Sequence, residues 1–509
     1  MPPPRGGGWW DMAHLIDTSG AGRWQGPPGD VHSALAGPSS FTRTFPMRLL
    51  RHAILAAALL LPLAPGVSAQ APAGSIASRY RADADRLIDA ALADSAAWAK
   101  LARLTDGFGP RLSGSRALED AIDWILAEMQ REGLENVRGE PVMVPHWVRG
   151  EESAEMVLPR RQRLGMVGLG NSVGTPGEGV EAEALVVSSF DELQARAADA
   201  RGRIVVFNVP YTGYGATVRY RVQGPSTAAR LGAVAVLVRS VTPRSLFTPH
   251  TGTLVYDSTA PRIPAAAITI EDAELLARLQ QKGQRVTLRL AMGARMLPDA
   301  PSRNAVAEIR GREKPDEVVV MGGHIDSWDV GQGAMDDGGG VVVAWEALRL
   351  MKSLGLRPRR TVRVVAWTNE ENGGRGGAGY RDAHRAELSR HVLAIESDNG
   401  AFKPSGFGFT GSDAALARVT EVARLLARIG ADTVTSGGGG ADIGPIMELG
   451  VPGMSPNVDG SRYFWFHHSE ADTMDKLDPR DMGLLTAALA VMTYVVADLP
   501  EALPRAAAR

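Results

Sequence analysis

Two short stretches of this 509-residue chain hold the residues best able to do chemistry. The first is Gly322-Gly323-His324-Ile325-Asp326, followed by Asp336-Asp337 and three glycines. The second is Glu370-Glu371, at the end of an apolar, β-branched run, with Asp398 and His468 downstream. Imidazoles and carboxylates are the ligands that hold a pair of divalent cations, and a spare glutamate beside them can move a proton. A carboxylate at Asp336-Asp337 can bridge two cations about 3.5–4 Å apart, and the glycines after it let backbone approach closely. Adjacent residues of an extended chain point opposite ways, so one member of Glu370-Glu371 can bind metal while the other faces water. An imidazole that binds metal usually donates its other N–H to a carboxylate, and Asp326 is two residues from His324. Each fragment alone has a plainer reading: a surface His-Asp pair, aspartates complementing a helix dipole, a solvated acidic turn.

The elements that must carry these residues follow from periodicity. Val318–Met321 reads as a buried strand ending at His324, Thr361–Thr368 as a strand ending at Glu370, and Val392–Ile395 as one ending at Asp398. Helices are expected between them at Val341–Leu350 and Ala414–Ile429, with a last long one at Pro479–Leu499. Such alternation predicts an α/β fold with a mostly parallel or mixed central sheet flanked by helices, and ligands gather beyond the C-terminal strand ends of such sheets. Residues ~75–135 read as helices, with Leu118, Ile122, Leu126 and Met129 on one apolar face and Ser115 as a cap. Residues 156–295 have another texture, with strand-like runs at Arg203–Val209 and Ala233–Val238 separated by Gly and Pro breaks, and none of the candidate ligands falls there. The run Gly437–Gly440 lacks the Lys-Ser/Thr of a phosphate loop and reads as an active-site loop or linker.

Composition narrows the chemistry. There is no cysteine, which excludes thiolate ligands, a thiol nucleophile and disulfides. The net charge of −2 offers no basis for binding nucleic acid. Residues 1–46 are Gly-, Pro- and Ser-rich and are expected to be a spurious or unstructured extension. From Met47, a basic start, an apolar run at Ala53–Leu63 and a small-residue site at Val67-Ser68-Ala69 form a signal peptide over 47–69. Export to the periplasm or the outside follows, with no stable membrane anchor after cleavage, and no other stretch is expected to cross a membrane. Seven histidines follow the signal, and His146, His250, His384 and His391 lack a partner motif and read as structural or surface residues.

The run from His324 through Asp336-Asp-Gly-Gly-Gly resembles the zinc aminopeptidase and glutamate carboxypeptidase superfamily with co-catalytic zincs, in particular its carboxypeptidase Q branch. Gly109-Pro-Arg-Leu-Ser-Gly-Ser115, Pro145–Glu152, Glu396-Ser-Asp398, Phe466-His-His-Ser469 and Asp472-Thr-Met474 match as well, so the similarity spans roughly residues 78–500. The resemblance implies two Zn2+ per chain, with His324 and Asp398 on one, Glu371 and His468 on the other, and Asp336 bridging. It implies Glu370 as general base, Asp326 orienting His324, and Tyr463 or a backbone N–H at the oxyanion. It also implies a catalytic domain of two parts (75–155 and 296–500), an inserted protease-associated lid domain at 156–295, short peptides as substrates and a homodimer. Dipeptidase and aminopeptidase activity both fit, and a non-catalytic binding protein on this fold would lack ligands that are present here. The loop Ser436–Asp442 departs from the carboxypeptidase Q pattern but keeps Asp442.

Overall fold

The computed structural model describes residues 75–506, so the expected extension and signal peptide lie outside the described residues. Its centre is an eight-stranded mixed sheet. In spatial order the strands are Glu135–Val148, Arg295–Ile309, Arg360–Trp367, Lys314–His324, His391–Glu396, Gly453–Val458, Pro404–Thr410 and Thr433–Ser436. The four strands from Arg360–Trp367 to Gly453–Val458 run parallel, and these include the three expected to end at the site. Arg360–Trp367 and His391–Glu396 are buried along their whole length, as parallel strands covered on both faces must be. Val319, Met321, Val362, Val364, Leu393 and Ile395 face one core, whereas Val318, Val320, Val365, Trp367 and Ala394 face another.

The larger core is closed by the helices Ile76–Ala93, Ala96–Phe108, Arg116–Arg131, Gly339–Ser353 and Pro479–Asp498. The Ser115 hydroxyl accepts the Leu118 N–H at 3.2 Å and caps Arg116–Arg131. Ile125 rather than Leu126 completes the buried stripe of that helix. Among the described residues Pro479–Asp498 is long and apolar enough to cross a membrane, which corrects the expectation that no stretch beyond the leader would be; here the helix is buried in the core.

The strands Glu135–Val148 and Arg295–Ile309 were missed by periodicity. The first carries Gly139, Pro141 and Pro145 and lies half-exposed on a sheet edge, so its burial does not alternate cleanly. Their antiparallel pairing explains how a second unit is inserted: Trp147 faces Met296 and Val148 faces Arg295, so the chain leaves and returns at one place. Residues 152–292 between them form a second eight-stranded sheet with its own cores. The second sheet begins with Glu152–Leu158, a few residues before the boundary expected at 156.

One polar knot in the smaller core carries a pH dependence. His391 Nδ1 lies 3.2 Å from the Glu387 carbonyl, and its Nε2 lies 2.9 Å from the Tyr380 hydroxyl, which Arg363 contacts at 2.8 Å. Burial first, and then the Arg363 charge, lower the His391 pKa from 6.5 to about 4. The folded state therefore favours the neutral ring; its contribution is full above pH 6.5 and is lost as pH falls toward 4. The urea midpoint of the wild type should drop between about pH 6.5 and pH 4, and the drop should be shallower in His391→Gln. An equal slope in both proteins would remove His391 from the cause.

A second consequence concerns the start of helix Gly339–Ser353. Asp337 accepts the Gly340 N–H at 3.0 Å and the His324 N–H at 3.1 Å, tying helix to strand end. A Cβ at Gly340 would overlap the Ser397 carbonyl oxygen and both Asp337 oxygens. Gly340→Ala should therefore cost about 1–3 kcal/mol of stability, the scale of overpacking a tight core, as read from denaturant midpoints. An unchanged midpoint would show that this junction yields easily.

Candidate metal centre

Every candidate ligand arrives from a different strand end or loop. His324 ends the strand Lys314–His324, Glu370 and Glu371 follow Arg360–Trp367, and Asp398 follows His391–Glu396. Asp336 sits in the loop before helix Gly339–Ser353, and His468 follows the short helix Tyr463–Phe466. Asp336 is the hub of the set. Its Oδ1 is 3.2 Å from His324 Nε2, which is also 3.5 Å from Asp398 Oδ1. Its Oδ2 is 3.3 Å from His468 Nε2, which is also 3.0 Å from Glu371 Oε2. His467 Nε2 also reaches Asp336 Oδ2, at 3.4 Å, and its ring stacks on His468 at 3.5 Å. The Glu371 contact is what separates His468 from its neighbour.

The donor set fits divalent cations. His324 Nε2, Asp336 Oδ2, Glu371 Oε1 and Asp398 Oδ1 are buried atoms without a hydrogen bond. His324 Nε2 stands 3.5 Å from Asp398 Oδ1, and Asp336 Oδ2 stands 3.3 Å from His468 Nε2, without a hydrogen bond, as ligand atoms do when they converge on a shared point. Atoms about 2.0 Å from a tetrahedral zinc lie roughly 3.3 Å apart, close to the separations here.

Electrostatics points the same way. Burial, then the like charge of Asp336, raises Glu371 to about 7. Desolvation, with Asp398, Glu371 and Asp336 beside it, raises Glu370 well above the usual carboxylate range. Burial and Asp398 raise Glu396 to about 8. Burial disfavours charge on Asp336 too, but His324 and His468 outweigh it and hold that group well below its ordinary value. In the metal-free protein these carboxylates cannot all ionise comfortably, and bound cations would relieve the repulsion.

A further layer of groups aims the ligands. His324 Nδ1 lies 2.9 Å from the main-chain carbonyl of Asp326, whereas the nearest Asp326 carboxylate oxygen is 3.8 Å away. The expected carboxylate–imidazole pair is thus replaced by a carbonyl–imidazole pair from the same residue. The Asp326 carboxylate instead accepts the N–H groups of Glu370 at 3.1 Å and Glu371 at 3.3 Å, positioning the glutamate pair. Asp472 accepts the N–H groups of Met335 at 2.7 Å and Asp336 at 3.1 Å. Fully buried Arg111 donates to the carbonyls of Gly109, Ile325, Gln332 and Gly333, stapling the loops on either side of Trp328. Sequence reasoning noted Arg111 and Asp472 only as parts of matching motifs. Their roles depend on backbone acceptors and donors, which no side-chain pattern displays.

Other residues singled out earlier fall into place around this core. The Tyr463 ring packs on His467 at 5.1 Å; burial first, then Asp336 and Asp398, raise its pKa well above the usual tyrosine value. Asp442 is buried with both carboxylate oxygens unpartnered, and a Cβ at Gly440 would overlap the Glu396 carboxylate. The glycine run thus permits a close approach to an acidic pair. His384 and His391 are buried in the Tyr380 network. His250 is not at the surface: it lies against the ligand segment, 2.6 Å from the His467 carbonyl.

Known proteins share this architecture. The pattern described as "Peptidase family M28" matches residues 304–493. Carboxypeptidase Q of Mus musculus is 52% identical over 406 residues, covering 80% of this chain and 86% of that protein. The Homo sapiens protein of the same name is 52% identical over 413 residues, covering 81% and 88%. A solved peptidase M28 precursor from Shewanella amazonensis superposes with a TM-score of 0.82 at 34% identity, covering 85% of this chain and all of that one. A zinc aminopeptidase from Bacillus subtilis has a TM-score of 0.60 at 20% identity over 78% of this chain and 93% of that one, a likeness of fold alone. With half its residues identical to such relatives over four-fifths of its length, the chain belongs to peptidase family M28 and is a metallopeptidase.

Proposed function

We propose that this chain is an exported dizinc exopeptidase that hydrolyses dipeptides and other short peptides. One observation carries the reading: the two oxygens of Asp336 face separate imidazoles, His324 at 3.2 Å and His468 at 3.3 Å. His324 and Asp398 would hold one zinc, Glu371 and His468 the other, and Asp336 would bridge them. When bound, such a pair supplies Lewis acidity for the scissile carbonyl and acidifies water.

The remaining chemistry belongs to the chain. Glu370 is half-buried, and its backbone N–H is pinned by Asp326, which fixes the turn that presents it beside the other carboxylates. It takes the proton of the attacking water and returns it to the leaving amine. Asp326 keeps Glu370 and Glu371 at their stations while its carbonyl orients His324. The unit at 152–292 acts as a lid of the protease-associated type, which limits substrates to short chains; the protein works as a homodimer. Broad aminopeptidase activity is the second reading, favoured by the fold shared with the Bacillus subtilis zinc aminopeptidase.

Free dipeptides, aminoacyl anilides and N-blocked dipeptides separate the two. Cleavage of free dipeptides with little turnover of anilides is expected, and activity on anilides alone would defeat the dipeptidase reading. Purified protein should carry two zincs per chain, and removing them with a chelator should abolish turnover until zinc is restored. A single tightly held zinc in fully active enzyme would defeat the bridged pair. Glu370→Gln should keep both metals and lose about 10²–10⁴-fold in kcat. A variant with near wild-type turnover would show that another group moves the proton.

A further inference from the structure

We propose that His250, although it belongs to the inserted unit, is a positioning residue of the metal centre: it holds the His467-His468 segment so that His468 faces Glu371 and Asp336. The inference rests on the dizinc reading above.

His468 has a backbone φ of +60°, in the left-handed region that residues other than glycine and asparagine avoid. Such a conformation persists only where its surroundings impose it. Here a turn closed by the Ser469 N–H on the Phe466 carbonyl at 3.1 Å sets the conformation, and the inserted unit holds that turn from outside. His250 Nδ1 is 2.6 Å from the His467 carbonyl oxygen, so that nitrogen must carry the proton and donate. The next residue, Thr251, donates its N–H to the His468 carbonyl at 2.8 Å. The Thr251 carbonyl in turn lies 3.4 Å from His468 Nδ1, on the side of the ring away from Glu371, and Arg221 donates to it at 3.2 Å. Further upstream the Thr242 hydroxyl donates to the Phe464 carbonyl at 2.7 Å. Carbonyls 464, 467 and 468 are thus all bound from one loop of the inserted unit.

That loop is itself fixed. The His250 N–H donates to Ser240 Oγ at 2.9 Å, and Ser240 donates to the Ile268 carbonyl at 2.8 Å. The Thr251 hydroxyl donates to the Gly168 carbonyl at 2.7 Å. His250 is only 2% exposed, so its bond to His467 meets no competing water. Without it, the His467 carbonyl loses its donor, and the left-handed turn at His468 keeps only the Thr251 bond beside its own Ser469–Phe466 bond. His324, by contrast, is aimed by Asp326 within the catalytic unit. The two zinc positions therefore depend on different parts of the chain, and only one should respond to His250.

The test uses the full chain loaded with zinc and dialysed against graded chelator, with zinc counted per chain, alongside melting of the metal-free protein. The wild type should hold two zincs. His250→Leu should release one of them at a free-zinc level at least tenfold higher than the wild type does, while the other is unmoved. His250→Asn, whose amide can donate to the same carbonyl, should restore wild-type retention. Thr242→Val keeps the side-chain shape and removes a neighbouring donor, and should weaken the same single zinc by a smaller factor. Folded His250→Leu with both zincs at wild-type affinity would overturn the proposal, as would equal weakening of both, or His250→Asn no better than His250→Leu. If His250→Leu does not fold, Thr242→Val decides, and unchanged retention there overturns it. A wild type holding fewer than two zincs overturns the dizinc reading itself, and the inference falls with it.

Discussion

The constraint on which the structure turns is the crowding of carboxylates around Asp336. Asp336, Asp398, Glu370 and Glu371 converge in a cleft with His324, His467 and His468 among them, and Asp337, Asp472 and Asp326 stand directly behind. Burying so much negative charge opposes folding of the metal-free state unless groups are neutralised or paired. The protein meets this with backbone N–H donors. Asp337, Asp472 and Asp326 each accept main-chain N–H groups, and in doing so each fixes a segment that carries a candidate ligand. Their charge is thereby turned into position. Arg111 serves as the counterpart: a buried cation spent on carbonyls, drawing loops from both sides of the site together.

Much of this was legible in the sequence because parallel strands announce themselves. Val318–Met321 and Val392–Ile395 are apolar without interruption and Thr361–Thr368 is apolar but for Arg363 and its terminal threonines, a pattern suited to doubly covered strands, and the chemistry-bearing residues follow each within a few positions. The set of ligand candidates comes together in space for that reason. The edge pair Glu135–Val148 and Arg295–Ile309 was not legible, since a half-exposed strand with two prolines has no clean period. Nor was the layer behind the ligands. Asp326 was expected to meet His324 with its carboxylate, but proximity in sequence cannot say whether the side chain or the carbonyl turns inward. His250 looked unattached because its partner lies 217 residues away.

The insertion is the architectural answer to a local problem. A side chain at a strand end inherits rigidity from the sheet, as that of His324 does. His468 has no such support: it follows a four-residue helix and lies in a loop. A loop can be rigid only if its backbone groups are bound by something else. The second unit leaves the first between paired residues Val148 and Arg295, at a point close enough for its 240–254 segment to lie along residues 464–468. Aromatic packing of Tyr214 on Phe464, with ring centroids 4.8 Å apart, broadens that contact.

This arrangement also distinguishes the adjacent histidines. Both His467 and His468 bring Nε2 near Asp336 Oδ2, and their rings stack, so distance to Asp336 alone does not choose between them. The contacts at Nδ1 and beyond do. His468 has the Thr251 carbonyl and the Arg221 guanidinium, each 3.4 Å away, behind Nδ1, and Glu371 before Nε2, contacts that hold its ring in one orientation. His467 lies among the rings of Tyr214, Tyr463 and Phe464, and burial, reinforced by the positive side of His468, keeps its pKa well below the ordinary value. It is a neutral wall of the pocket whose carbonyl, held by His250, does more to shape the site than its ring.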